Sequence, residues 1–108
     1  LDEKTSNIVK VTNGTLTLSG KQKNKKSNTL TWNKLKREDT KKQGYVIYRK
    51  TNNDKKYKKL KEVTKKSYTD KSVKKKNKYS YKVRMFYVNE DGKREYSPYS
   101  NGITIKVK

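Results

Sequence analysis

Residues 79–87 read Tyr-Ser-Tyr-Lys-Val-Arg-Met-Phe-Tyr, and their alternation decides the fold. Tyr79, Tyr81, Val83, Met85 and Tyr87 fall on one side of a period-two run, and Ser80, Lys82 and Arg84 on the other. Successive side chains of a strand point to opposite faces, so this strand buries a tyrosine-rich face and turns a basic one outward. Asn89-Glu90-Asp91-Gly92 follows, and Asp-Gly supplies the positive φ that a tight hairpin turn needs. The return strand includes Tyr96 and bends at Pro98. It finishes as Ile103, Ile105 and Val107, alternating with Thr104, Lys106 and Lys108.

The same alternation recurs upstream. Thr15-Leu16-Thr17-Leu18 and Thr29-Leu30-Thr31-Trp32 each read as strands with one buried face, and Gly20 to Ser27 between them reads as a solvated turn. Asn33 to Gln43 is a charged loop ending at Gly44, and Tyr45-Val46-Ile47-Tyr48-Arg49 is a β-rich run. Asn52-Asn53-Asp54 is turn chemistry. Ser67-Tyr68-Thr69-Asp70 is a short strand, and Val73 precedes the basic turn Lys74-Lys75-Lys76-Asn77. About seven short strands with regularly spaced turn signals predict an all-β, two-sheet sandwich. The expected core is Leu16, Leu18, Leu30, Trp32, Tyr45, Ile47, Leu60, Tyr68, Val73, Tyr79, Tyr81, Val83, Met85, Ile103 and Ile105. If Tyr45 and Ile47 point inward, Val46 and Tyr48 point outward.

Composition narrows the function classes. The chain has 108 residues, room for one domain, with 31 Lys or Arg against 10 Asp or Glu and a formal charge of +21. Only 28% of residues are apolar, yet nine are Tyr, with one Trp and one Phe, and aromatic rings bury large areas. The chain has no Cys, so no disulfide or thiolate metal site, and no His, so no His-activated nucleophile or imidazole-bound zinc. No cofactor is expected. No apolar run approaches the roughly 20 residues that cross a bilayer as a helix, so no membrane insertion is expected. Leu1 in place of Met suggests a piece of a longer chain, with residues 1–12 as a linker and 13–108 as the domain. Lys outnumbers Arg 27 to 4. Bidentate phosphate or guanine recognition favours Arg, so a specific nucleic-acid partner is not expected. Nonspecific attraction to polyanions still follows from net charge.

The order of motifs resembles a fibronectin type III domain. Leu30-Thr31-Trp32 matches its second strand and Gly44-Tyr45-Val46-Ile47-Tyr48-Arg49 its third. Val73, six residues before Tyr79, matches its tyrosine corner, and Ser97-Pro98-Tyr99-Ser100-Asn101 its last strand. The resemblance covers residues 13–108 and implies strands A, B and E packed against C, C′, F and G. Its third-strand and last-strand variants look like modules of secreted or wall-attached Gram-positive proteins. That implies a non-catalytic accessory module of a larger extracellular bacterial protein. It would act as a spacer or interaction domain, docking to neighbouring domains, anionic wall polymers or glycans, and be monomeric alone. The Arg-Gly-Asp of adhesive animal modules is absent, since the hairpin loop here is Glu90-Asp91-Gly92-Lys93.

Two surfaces are candidates for interaction. Lys55, Lys56, Lys58, Lys59 and Lys61 form the densest charge run, readable as an irregular C′ strand with solvated lysines. A basic amphipathic helix is the other reading, with Tyr57, Leu60 and Val63 on one face. The other surface is the outer face of the C-F-G sheet, with Tyr48, Lys82, Arg84 and Phe86, joined by Tyr96 or Tyr99. A dedicated polyanion-binding module, for nucleic acid or sulfated glycan, is the alternative function. The carboxylates Glu38, Asp39, Asp54, Asp70, Glu90 and Asp91 fall mostly in turns, with no spacing that implies acid–base catalysis. Asp70 is expected to cap a turn.

Overall fold

The computed structural model describes residues 16–33 and 42–108. The proposed linker 1–12, Glu38 and Asp39 lie outside the described residues. The strands are β1 (Leu18–Asn24), β2 (Ser27–Trp32), β3 (Gln43–Thr51), β4 (Lys58–Val63), β5 (Ser67–Asp70), β6 (Lys78–Val88), β7 (Arg94–Tyr96) and β8 (Ile103–Lys106). There is no helix among the described residues.

Pairing is antiparallel throughout and forms two sheets. One is β1-β2-β5. The other is β4-β3-β6-β7, with β8 also on β6. This is the expected A-B-E against C-C′-F-G arrangement, with the last strand split in two. β7 pairs with the end of β6 and β8 with its start. Between them two serines continue the pairing. The Oγ of Ser97 accepts the Met85 N–H at 2.9 Å and the Oγ of Ser100 accepts the Val83 N–H at 3.0 Å. Their own N–H groups donate to the carbonyls of Met85 and Val83. Both serines are buried, so each hydroxyl satisfies a donor that water cannot reach.

The inward faces meet in the core that alternation predicts. Leu16, Leu18, Leu30 and Trp32 face Tyr45, Ile47, Tyr79, Tyr81, Val83 and Met85, all buried. The Trp32 and Tyr45 rings join the two sheets edge to face, with centroids 5.6 Å apart. Val73 is buried beside them, and the Tyr79 hydroxyl accepts the Lys74 N–H at 2.8 Å, which is the tyrosine corner. Gly92 closes the hairpin at φ 80°.

Four expectations change. Gly20 to Ser27 is not a turn. β1 runs through it to Asn24, because Lys21 and Lys23 alternate outward on an edge strand, leaving only Lys25-Lys26 to turn. Leu60, Tyr68, Ile103 and Ile105 are only partly buried, since β4, β5 and β8 each have a strand neighbour on one side alone, whereas Val107 is fully buried. Tyr87 joins the core. Val46 is on the outer face yet 1% exposed, because its cross-strand neighbours are the long side chains of Glu62 and Arg84.

The spacing of Tyr57, Leu60 and Val63 by three comes from a bulge and not a helix. Ile47 pairs with Lys61 and Tyr48 with Lys59, so Leu60 is the extra residue. Leu60 and Val63 pack against the core, whereas Tyr57 lies on the outer face.

Candidate interaction surface

β3 and β6 pair over nine residues and set the outer face row by row, with Val46 opposite Arg84, Tyr48 opposite Lys82 and Gly44 opposite Phe86. β7 adds Tyr96 opposite Phe86. The rows form a ladder of alternating rings and cations. Arg84 Cζ lies 3.8 Å from the Tyr96 ring centroid and 4.6 Å from that of Tyr99. Its Nε donates to the Tyr48 hydroxyl at 3.1 Å. Lys82 Nζ lies 3.8 Å from the Tyr99 ring centroid and 4.4 Å from that of Tyr57, and Lys50 Nζ lies 5.0 Å from the Tyr57 centroid. The Tyr48 and Tyr99 rings meet edge to face at 5.4 Å. Each cation–π contact contributes on the order of 0.5–1 kcal/mol at an exposed site, so the ladder orders side chains that would otherwise move freely.

One end of the ladder is anchored by charge. Arg94 stacks over Phe86 at 4.0 Å and forks onto both carboxylate oxygens of Glu62 at 2.8 Å. Those hydrogen bonds, with one from Lys59, hold the Glu62 carboxyl down at about 2. A Cβ at Gly44 would stand 2.9 Å from the Phe86 ring and 2.8 Å from the Val63 carbonyl, so a side chain there would crowd both.

Of the expected site residues, the fold brings Tyr48, Lys82, Arg84 and Phe86 onto this face, with both Tyr96 and Tyr99. Tyr96 and Tyr99 are the exposed large hydrophobic residues of the described chain, at 40% and 41%. Lys55 and Lys56 are in the β3–β4 turn, and Lys58, Lys59 and Lys61 are exposed on the edge strand β4. Lys59 faces the Tyr48 row, and the others reach no ladder ring. Sequence reasoning missed Tyr57, Lys50, Glu62 and Arg94. Arg94 was within reach, because period two from Tyr96 puts it on the same face.

It also missed the role of Asp70. This carboxylate is 1% exposed and does more than cap a turn. It accepts the Ser72 N–H and Oγ–H, as a turn cap does, and also the Arg49 Nη1–H at 2.8 Å and the Tyr81 O–H at 2.7 Å. Burial alone would raise its pKa, but these hydrogen bonds outweigh burial and hold it low. Burial, with the neighbouring carboxylate, pushes the Tyr81 phenol well above its ordinary range. Asn28 donates to the Tyr81 oxygen at 3.0 Å, so the network spans both sheets. No group of three or more His, Cys, Asp or Glu able to hold a metal occurs among the described residues, and no helix there is long and apolar enough to cross a membrane.

No protein-family model matches the chain, and no curated protein matches it. Solved structures do. The chain is similar to part of the FN1–FN3 domains of chicken CNTN1, with a TM-score of 0.61 and 26% identity, over 82% of this chain and 31% of that one. It is similar to part of the pectate lyase PelI from Erwinia chrysanthemi, solved with tetragalacturonic acid, with a TM-score of 0.60 and 21% identity, over 84% of this chain and 28% of that one. The fibronectin type-III domain of human fibronectin type III domain containing protein 3 matches with a TM-score of 0.54 and 17% identity, over 88% of this chain and 87% of that one. The chain therefore has a fibronectin type III-like fold, which is generally that of non-catalytic modules.

Proposed function

We propose that this chain is a non-catalytic accessory module of a larger extracellular bacterial protein, where it spaces and docks its neighbouring domains. One observation carries the reading: the outer sheet face presents Tyr96 and Tyr99 as exposed rings already held in place by Arg84 and Lys82. An aromatic surface whose rings are already positioned binds with little loss of side-chain entropy. The shape supports the modular part, because this fold fills under a third of two of the longer chains it resembles. The extracellular bacterial setting is supported by the likeness of Tyr48-Arg49-Lys50 and Ser97-Pro98-Tyr99-Ser100 to modules of secreted Gram-positive proteins.

Two experiments test it. Immunoblotting of fractionated source cells with an antibody to this domain should find a polypeptide longer than 108 residues in the medium or wall fraction. A band confined to the cytoplasm would refute the setting. Backbone NMR spectra of the chain alone and inside a longer fragment of its parent should differ at Arg84, Tyr96 and Tyr99. Spectra that superimpose there would refute docking to a neighbour, and shifts with a neutral oligosaccharide instead would assign the face to a glycan.

A further inference from the structure

We propose that the end of the sandwich carrying the β1–β2 turn and the β5–β6 connection is a groove for a linear polyanion, one bearing phosphate or sulfate esters along a chain without aromatic bases. Lysines from two separate clusters of the sequence converge there. Lys25 and Lys26 form the β1–β2 turn. β2 pairs with β5 so that Asn28 stands opposite Asp70, which carries Lys71 to the side of that turn. Lys74 and Lys75 come from the loop that follows. Two adjoining hollows result, of 580 and 690 Å³, sharing Lys25, Lys26 and Lys71, with Lys74 and Lys75 lining one and Lys23 the other.

The backbone beneath these lysines is fixed. Asn24 Oδ1 accepts the Lys26 N–H at 2.9 Å and the Ser27 hydroxyl at 2.8 Å. On the other wall Val73 is buried and Lys74 donates its N–H to Tyr79. Lys76 takes φ 69°, a left-handed conformation that a residue with a side chain adopts only when its surroundings impose it. Its N–H donates to the Val107 carbonyl at 2.7 Å.

Among the described residues no carboxylate compensates this charge. The ion pairs among the described residues use Arg49, Lys59 and Arg94, and none uses a lysine of the groove. The nearest carboxylate in sequence, Asp70, points inward and is neutralised by Arg49. Fixed like charges repel one another and favour a bound counter-charge. No aromatic ring or arginine lines either hollow, so the groove offers no stacking surface for bases. Ammonium groups act as point charges and suit ester oxyanions without bidentate geometry.

The test uses the 108-residue chain with polyphosphate and, separately, a heparin-like sulfated glycan, whose relative affinities tell phosphate from sulfate. If five lysines engage the polymer, log K should fall against log salt with a slope of about −3 to −4, by analogy with single-stranded nucleic acid. Changing Lys25, Lys26, Lys71, Lys74 and Lys75 to Gln should weaken binding about thirtyfold and flatten that slope. A control with Lys55, Lys56, Lys58, Lys61 and Lys65 changed to Gln has the same net charge and should lose no more than about threefold. Matching thermal melts of the two variants would show that both fold. Equal losses in the two variants, or no binding by the parent at low salt, would overturn the proposal. So would an oligothymidylate of equal charge that binds more tightly than either polymer.

Discussion

Replacing Asp70 by Asn tests the network that joins the two sheets. The change keeps shape and leaves Oδ1 to accept from Ser72. It replaces Oδ2, the atom that accepts from both Arg49 and Tyr81, with a donor. Two charge-assisted hydrogen bonds are lost, each contributing about 1.5–3 kcal/mol net. Removing one partner of a buried ion pair destabilises by about 3–5 kcal/mol. Arg49 is 22% exposed and keeps its place over the Tyr79 ring, so water and that ring offset part of the loss. The expected destabilisation is about 3 kcal/mol, which with a urea m-value of about 1.2 kcal/mol/M shifts the midpoint by about 2.5 M. Trp32, 5% exposed, should report the transition by fluorescence. A shift below about 0.5 M would refute the reasoning. The pH dependence supplies a second check. The folded-state pKa of Asp70 is lowered from 3.8, so its stabilisation is complete above that value and is lost as pH falls through the folded pKa. The gap between parent and variant should be full at pH 7, begin to narrow below about pH 4 and close as pH falls through the lowered folded pKa. A gap that widens in acid would contradict the sign.

Tyr79→Ala should destabilise by about 3 kcal/mol or more, losing a buried ring and the acceptor for Lys74, as read by the same denaturation. Ser97→Ala and Ser100→Ala should each destabilise by about 1–3 kcal/mol, since each leaves a buried N–H of β6 unpaired, and amide exchange at Met85 and Val83 should accelerate. Gly44→Ala should displace the Phe86 ring, seen as changed ring-current shifts at Arg94, with about 1–2 kcal/mol lost to crowding.

The inner faces were legible because alternation has one cause, burial on one side. The residues from Tyr79 to Tyr87 carry that signal without interruption. What escaped depends on partners remote in the chain. The burial of Val46 comes from Arg84 and Glu62 on the flanking strands, and nothing near Val46 announces them. The buried charge of Asp70 is matched by Arg49, 21 residues away, and by Tyr81, 11 residues away. β1 was hidden because a lysine-rich edge strand has the composition of a turn. The outer face was half legible: period two placed Tyr48, Lys82, Arg84 and Phe86 on it, whereas Tyr57 reaches it only through the bulge at Leu60.

The splitting of the last strand has a consequence for how copies of this chain meet. A sheet edge is a template on which another chain can add a strand. Here the margin where β1 and β8 approach each other is stitched by side-chain amides, Asn101 bonding both backbone groups of Leu18 and Gln22 both accepting from and donating to Lys108. β7 is only three residues long. Of the margins left open, β5 has four residues bordered by Lys66 and Lys71, and β4 carries Lys58, Lys59 and Lys61. A strand from a second copy would bring its own lysines against these. Crowding of this domain is therefore expected to leave it folded and unassociated, with the lysines of these two edges opposing such pairing.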